Sequence, residues 1–161
     1  MNPNHWVESF RLLHLKARRG HLSDSEQRQY VAAREHFARA LTAAQGMSVA
    51  PQQTARRMFR VAQGLQVDLT FASGSLRTMT LDVSLGGFSV MMHKPPPETE
   101  EPGFSLRLPG GQEPVMGRAR QVSAQRKIGT HRVSFSIQGL AEKDEERLEM
   151  ALFDLALERI K

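Results

Sequence analysis

Apolar residues in the first fifty positions recur at helical spacing. Steps of four and three residues place one set on a single helix face, and its members are Trp6, Phe10, Leu13 and Ala17. Gly20 is typical of a helix end, and Ser23 with Glu26 matches the S-x-x-E capping box that begins a second helix near Asp24. We therefore predict a two-helix hairpin. Its apolar stripe is expected to pack on the rest of the chain or on a second copy, which would make a homodimer.

After residue 60 the pattern changes to the two-residue alternation of β-strands. Strands are predicted over residues 61–71, 76–82, 88–92, 104–108, 115–122 and 131–137, between turns rich in glycine and proline. Three consecutive prolines make residues 94–103 a polar loop. Residues 142–161 return to helical spacing. Strands of this length and order favour a small closed barrel or sandwich with a final helix.

The change of pattern predicts two parts. Residues 1–50 form a helical hairpin with its linker, and residues 51–161 form a mainly β domain that ends in a helix. The linker covers residues 47–53 and includes Pro51. A total of 161 residues suits one domain of ordinary size with a short appendage.

Charge divides unevenly between the two halves. Residues 1–60 hold ten Lys/Arg against four Asp/Glu (10 − 4 = +6), and residues 61–161 hold twelve against thirteen (12 − 13 = −1). A basic half indicates an anionic partner, and ordinary solvation of helix surfaces is the alternative. The chain lacks cysteine, a signal-peptide pattern and an apolar run long enough for a bilayer. We expect a soluble, cytoplasmic protein without membrane insertion.

Catalytic and metal-binding patterns are missing from the sequence. The six histidines follow no metal-site spacing, and no G-x-S-x-G, Walker or G-x-G-x-x-G motif occurs in the required context. Asp68 and Asp82 lack an evident second carboxylate. We predict a non-enzymatic protein without a catalytic set, a metal site or a cofactor.

Arginines cluster in residues 54–60, at the start of the β region. Arg56, Arg57 and Arg60 fall within five positions. A guanidinium group offers a planar fork of donors that matches phosphate oxygens, and its flat face stacks on purines. This segment is a candidate site for an anionic nucleotide.

A second candidate segment covers residues 81–88. Asp82 and Ser84 lie two residues apart, so a strand would present both on one side. Gly86 and Gly87 then let the backbone approach a ligand closely. A carboxylate accepts hydrogen bonds from N1 and N2 of guanine, an edge that adenine does not present.

Together the two segments resemble the PilZ family, which combines R-x-x-x-R with a later [DN]-x-S-x-x-G. The resemblance covers roughly residues 54–155, and the motif matches are Arg56, Arg60, Asp82, Ser84 and Gly87. It implies a six-stranded antiparallel β-barrel that binds the bacterial second messenger cyclic di-GMP. The family's arginines lie in a flexible segment that leads into the barrel.

The resemblance also implies roles for individual residues. Arg56 and Arg60 would bind phosphate and guanine, with Arg57 as an extra contact. Asp82 and Ser84 would contact guanine, and the glycines would keep the turn tight. Ala55 stands where family members often have a further arginine.

Three functions are consistent with these features. The first is a receptor that binds cyclic di-GMP and transmits binding by a conformational change to a partner protein. The second is a PilZ-like protein–protein adaptor that does not bind nucleotide. The third is a basic nucleic-acid-binding protein, which the scatter of arginines around both predicted helices disfavours. Arg118 and Arg120, on a later strand, are interpreted as solvated or ion-paired residues.

Overall fold

The computed structural model describes residues 5–49, 51, 54–110 and 113–159. The chain divides into two compact units, Met1–Phe59 and Arg60–Lys161. Within the described residues the first unit is helical, with α1 (His5–Arg18), α2 (Asp24–Ala44) and α3 (Ala55–Met58). Among the described residues no helix is both long and apolar enough to cross a membrane.

Helices α1 and α2 confirm the predicted hairpin. Gly20 has a φ of 71°, which ends α1 in the left-handed conformation that glycine tolerates. The predicted capping box is present, because the Glu26 amide donates to the Ser23 hydroxyl and the Ser23 amide donates to the Glu26 carboxylate. The predicted start of α2 at Asp24 is therefore confirmed.

Aromatic rings join the apolar faces of α1 and α2. The Phe10 and Phe37 ring centroids are 5.0 Å apart, and Trp6 meets Phe37 edge-on at 5.7 Å. Tyr30 stacks on Phe10, and its hydroxyl lies 2.5 Å from Nδ1 of the buried His14. The apolar faces of the two helices thus pack against each other within the hairpin. A second copy of the chain stays a prediction.

Helix α3 contains two of the three arginines of residues 54–60. It is a single turn in which the Arg57 amide donates to the Thr54 carbonyl at 3.1 Å. The buried Ala55 donates its amide to Glu35 of α2 at 3.3 Å. These contacts make α3 part of the first compact unit, which ends at Phe59, and the domain boundary expected at residue 50 stays a prediction.

The second unit is a closed antiparallel barrel in the order β1-β2-β3-β6-β5-β4, followed by a helix. This confirms the six-stranded barrel with a C-terminal helix. The elements are β1 (Gln66–Phe71), β2 (Gly74–Val83), β3 (Gly87–Met92), β4 (Gly103–Leu106), β5 (Val115–Lys127), β6 (Thr130–Gln138) and α4 (Glu142–Glu158).

Two strands differ from the sequence prediction by more than two residues at one end. Strand β1 begins at Gln66, and Val61 instead forms an isolated bridge with Val83. Strand β5 continues to Lys127, since its hairpin with β6 stays paired as far as Thr130. The alternating apolar side chains fill the barrel and are fully or almost fully buried. They include Val67, Leu69, Val90, Leu106, Val133 and Phe135.

A β-bulge in β2 determines which way Asp82 faces. Thr80 pairs with Val90 and Asp82 pairs with Ser89, so Leu81 is an extra residue. Thr80 and Val83 are both buried. In an unbroken strand, residues three positions apart would face opposite sides of the sheet. The bulge shifts the two-residue alternation by one position, so Asp82 faces the outside of the barrel.

Parts of some predicted segments lie outside the described residues. They are residues 50, 52 and 53 of the predicted linker, residue 111 of a predicted turn and residues 160–161 of the predicted last helix.

Candidate functional site

Asp82 is the centre of a charged cluster on the outside of the barrel. Its Oδ1 accepts a hydrogen bond from Arg60 Nη1 at 3.4 Å, and its Oδ2 accepts from Arg132 Nη2. The Asp82 side chain is 13% exposed, against 50% for Arg60 and 36% for Arg132. One carboxylate that is largely shielded from water therefore binds two arginines, which compensates the cost of its burial.

Backbone pairing brings Arg60 to Asp82. The Val61 amide donates to the Val83 carbonyl at 2.8 Å, and the Val83 amide donates back at 2.9 Å. The bridge is antiparallel, so the Arg60 backbone lies opposite Ser84, and the long Arg60 side chain reaches diagonally to Asp82. The structure thus joins one arginine of the R-x-x-x-R motif to the aspartate of the D-x-S-x-x-G motif.

Ser84 closes the turn between β2 and β3. Strand β2 ends at Val83, so the alternation expected to align Ser84 with Asp82 does not extend to it. The Ser84 hydroxyl accepts from the Gly87 amide at 3.1 Å, and the Ser84 amide donates to the Gly87 carbonyl at 2.7 Å. In this structure the hydroxyl therefore shapes the turn.

The glycines of the turn lie against strand β6. The Gly86 carbonyl accepts from the Ile137 amide at 2.8 Å. A Cβ on Gly87 would lie 2.1 Å from the Phe135 carbonyl oxygen, closer than any side chain tolerates. Gly87 is thus required by the close approach of β6, and its position keeps the turn tight.

Arg56 and Arg57 lie in α3, in the first unit, with Arg56 half-buried and Arg57 exposed. The R-x-x-x-R motif is therefore divided, because Arg60 begins the second unit. The described contacts bring together Arg60, Asp82 and the Ser84–Gly87 turn.

The sequence prediction missed Arg132. It lies on β6 opposite Met91 of β3, and β3 separates it from β2. The alternation along β6 marks Arg132 as outward-facing, because its neighbour Val133 is buried in the barrel. Its contact with Asp82 depends on tertiary structure, for which no local signal exists.

Other charged pairs lie elsewhere on the barrel. Arg77 donates to Asp68 at 2.8 Å, and this hydrogen bond lowers the pKa of the Asp68 carboxyl group. Arg120 donates to Glu101 at 2.9 Å, which confirms that it is ion-paired. Among the described residues no cluster of three histidine or carboxylate side chains has the arrangement of a metal site.

Similarity to known proteins is found in both sequence and structure. The sequence profile described as the PilZ domain matches residues 54–154, more than half of the chain. No curated protein sequence gave a match. The Bacillus subtilis inhibitor of motility MotI is 18% identical with a TM-score of 0.55, over 62% of this chain and 50% of that chain.

Escherichia coli YcgR provides two further similar structures. YcgR in complex with c-di-GMP is 24% identical with a TM-score of 0.54, over 64% of this chain and 46% of that chain. The YcgR PilZ domain with c-di-GMP is 22% identical with a TM-score of 0.50, over 64% of this chain and 92% of that chain. The chain thus matches about half the length of MotI and of YcgR. These likenesses show the barrel fold, and the profile match shows that the chain belongs to the PilZ domain family.

Proposed function

We propose that this chain is a non-enzymatic receptor for cyclic di-GMP, which transmits binding by a conformational change to a partner protein. Family membership supports the proposal, as do two similar structures that contain c-di-GMP. The strongest support within the molecule is the contact between Arg60 and Asp82 on the outside of the barrel. It joins a phosphate-binding group to a guanine-binding group beside the Ser84–Gly87 turn.

In this proposal, binding begins when Arg60 leaves Asp82 and contacts the ligand. Its hydrogen bond to Asp82 is long, at 3.4 Å, and its side chain is half exposed. Arg60 then moves to a phosphate or a guanine face of the ligand, and guanine donors replace it on the carboxylate. Asp82 Oδ1 then accepts from the N1 and N2 donors of guanine.

Arg56 and Arg57 are proposed as further phosphate ligands. For these two residues the motif supports the proposal, since they belong to the helical unit. Ligand binding through them would restrain α3 while Arg60 is held at the barrel. A partner protein would recognise the helical unit in this restrained state. In this proposal, the ligand orders the residues before and after Phe59, and this ordering transmits binding to the partner protein.

Calorimetric titration of cyclic di-GMP into the full chain tests the receptor. We expect Arg60→Ala and Asp82→Ala each to weaken binding by about 10- to 100-fold, because each removes a charge-assisted hydrogen bond. Arg120→Ala is the matched control, since it also removes an ion-paired arginine from the barrel surface. It should leave the affinity unchanged.

Two results would contradict the proposal. One is the absence of binding at micromolar ligand, and the other is unchanged affinity in both site variants. Chromatography of the ligand after prolonged incubation with the protein tests the non-enzymatic role. Cyclic di-GMP should be recovered intact, and a linear product would show hydrolysis.

A further inference from the structure

We propose that Arg132 is a positioning residue that holds the Asp82 carboxylate in the orientation that accepts hydrogen bonds from guanine. Arg132 thereby determines selectivity for guanine over adenine. The inference rests on the proposed function, because it concerns the same ligand. Arg132 belongs to neither half of the R-x-x-x-R and D-x-S-x-x-G pattern.

The side chain of Arg132 reaches Asp82 across an intervening strand. Strands β2 and β6 flank β3, so the two backbones are about 10 Å apart, twice the usual strand spacing. Two of the outward residues beneath this path are small. Ser89 pairs with Asp82 on one side and with Ser134 on the other, and the two serine hydroxyls lie 2.9 Å apart. Larger side chains at these positions would block the guanidinium group.

The two arginines on Asp82 are held differently. Arg132 lies within a strand that pairs with both neighbours, opposite Met91 of β3 and Gln125 of β5. Arg60 precedes a single isolated bridge and is more exposed. Arg132 is thus the fixed partner and Arg60 the exchangeable one.

This arrangement leaves room on the carboxylate for guanine. A carboxylate has about four acceptor positions, and Arg132 uses one of them on Oδ2. When Arg60 leaves Oδ1, the remaining positions accept from N1–H and N2–H of guanine. Adenine lacks both donors on that edge. Discrimination between guanine and adenine therefore depends on how firmly the Asp82 carboxylate is held in one orientation. Without Arg132, the Asp82 side chain is free to adopt other rotamers.

The test compares the affinities for cyclic di-GMP and cyclic di-AMP in Arg132 variants of the full chain. Arg132→Ala should weaken cyclic di-GMP binding about tenfold, as expected for loss of a charge-assisted contact, and leave cyclic di-AMP binding nearly unchanged. Arg132→Lys retains one donor and should recover part of the selectivity. Arg77→Ala is the matched control, because Arg77 forms a comparable pair with Asp68 across β1 and β2.

A double-mutant cycle with Asp82→Asn separates positioning from other roles. This variant keeps an acceptor for guanine, so its weaker binding stays measurable. If Arg132 acts through Asp82, Arg132→Ala should have little effect in the Asp82→Asn background. An equal loss in both backgrounds would overturn the proposal, since Arg132 would then act on the ligand directly or on the fold.

Failure of this inference is distinguishable from failure of the receptor function. Unchanged selectivity in Arg132→Ala, together with weakened binding in Arg60→Ala, would overturn positioning and leave the receptor intact. Absence of binding in the unmodified chain would overturn both. Circular dichroism of each variant establishes that the barrel is folded. If Arg132→Ala does not fold, the affinities for the two ligands are compared in Arg132→Lys instead. Unchanged selectivity in that variant would overturn the proposal.

Discussion

Gly87 lies where the backbones of β3 and β6 are closest. A methyl group at this position would lie 2.1 Å from the Phe135 carbonyl oxygen and 3.3 Å from the Ser136 Cα. Both obstacles are backbone atoms, which cannot move aside as a flexible side chain can. Gly87 is therefore required by space, in addition to its part in the turn with Ser84.

We expect Gly87→Ala to lower the free energy of unfolding by about 1–3 kcal/mol, the usual cost of overpacking. Urea denaturation measures this change. Gly103→Ala is the matched control, because the nearest atom to its added Cβ is the Gly117 carbonyl oxygen at 3.9 Å. Equal destabilisation by the two substitutions would contradict the steric explanation.

Single residues also show how much of the site is predictable from sequence. Arg60, Asp82 and Gly87 are recognisable because their types and spacing match a motif. Arg132 is not, because its contact with Asp82 joins residues that are 50 positions apart. The role expected for Ser84 depends on where β2 ends, which alternation alone does not determine.

At the scale of elements, the start of α2 depends on the capping box of Ser23 and Glu26. The Glu26 carboxylate also accepts a hydrogen bond from Lys16 of α1 at 2.5 Å. This hydrogen bond and the one from the Ser23 amide lower the pKa of Glu26 below its ordinary value of 4.5. The ionised form of Glu26 thus stabilises the helical hairpin.

The sign of the pKa shift predicts how this stabilisation depends on pH. A lowered folded-state pKa gives stability that is present above 4.5 and lost as the pH falls through the folded value. We expect Glu26→Gln to reduce the melting temperature at about pH 7 and to have a smaller effect at about pH 3. Thermal melts followed by circular dichroism measure both.

Glu8→Gln is a suitable control for this experiment. Glu8 is an exposed acid of α1 that pairs with Arg11 at 3.7 Å. Its substitution should change the melting temperature less at neutral pH. A larger effect of Glu26→Gln in acid than at neutral pH would contradict a lowered pKa for Glu26 in the folded state.

The types of the elements were predictable because buried residues recur at the spacing of a helix or of a strand. The faces of α1 and α2 and the alternation in all six strands reflect contacts with a core, and sequence records such contacts directly. Helix α3 is a single turn, and its Ala55 amide donates to Glu35, 20 positions earlier in the chain. The bulge at Leu81 inserts one residue without a characteristic type. Neither feature has a periodic signal.

At the scale of the whole molecule, the division after Phe59 separates the arginines of one motif. Arg56 and Arg57 belong to the basic helical unit, and Arg60 belongs to the barrel unit. The first 60 residues have a net charge of +6 (10 − 4), so an anionic ligand is attracted to the segment as a whole.

We expect cyclic di-GMP to slow hydrogen exchange in residues 54–60. The amides of Arg57 and Phe59, which donate to Thr54 and Ala55, should become better protected. Mass spectrometry of exchanged peptides measures this effect. The end of the β5–β6 hairpin, near Thr130, is the internal control and should not change. Protection confined to residues after Arg60 would show that Arg56 and Arg57 do not participate.

The bulge in β2 decides whether Asp82 faces the solvent or the core of the barrel. Thr80 and Val83 both point into the barrel only because Leu81 adds one position between them. Without the bulge, the same residues in unbroken alternation would turn the carboxylate of the D-x-S-x-x-G motif into an apolar core. Homologues that pair these strands in a regular register would keep every motif letter and lose the outward carboxylate. A search by motif letters would still count them as receptors.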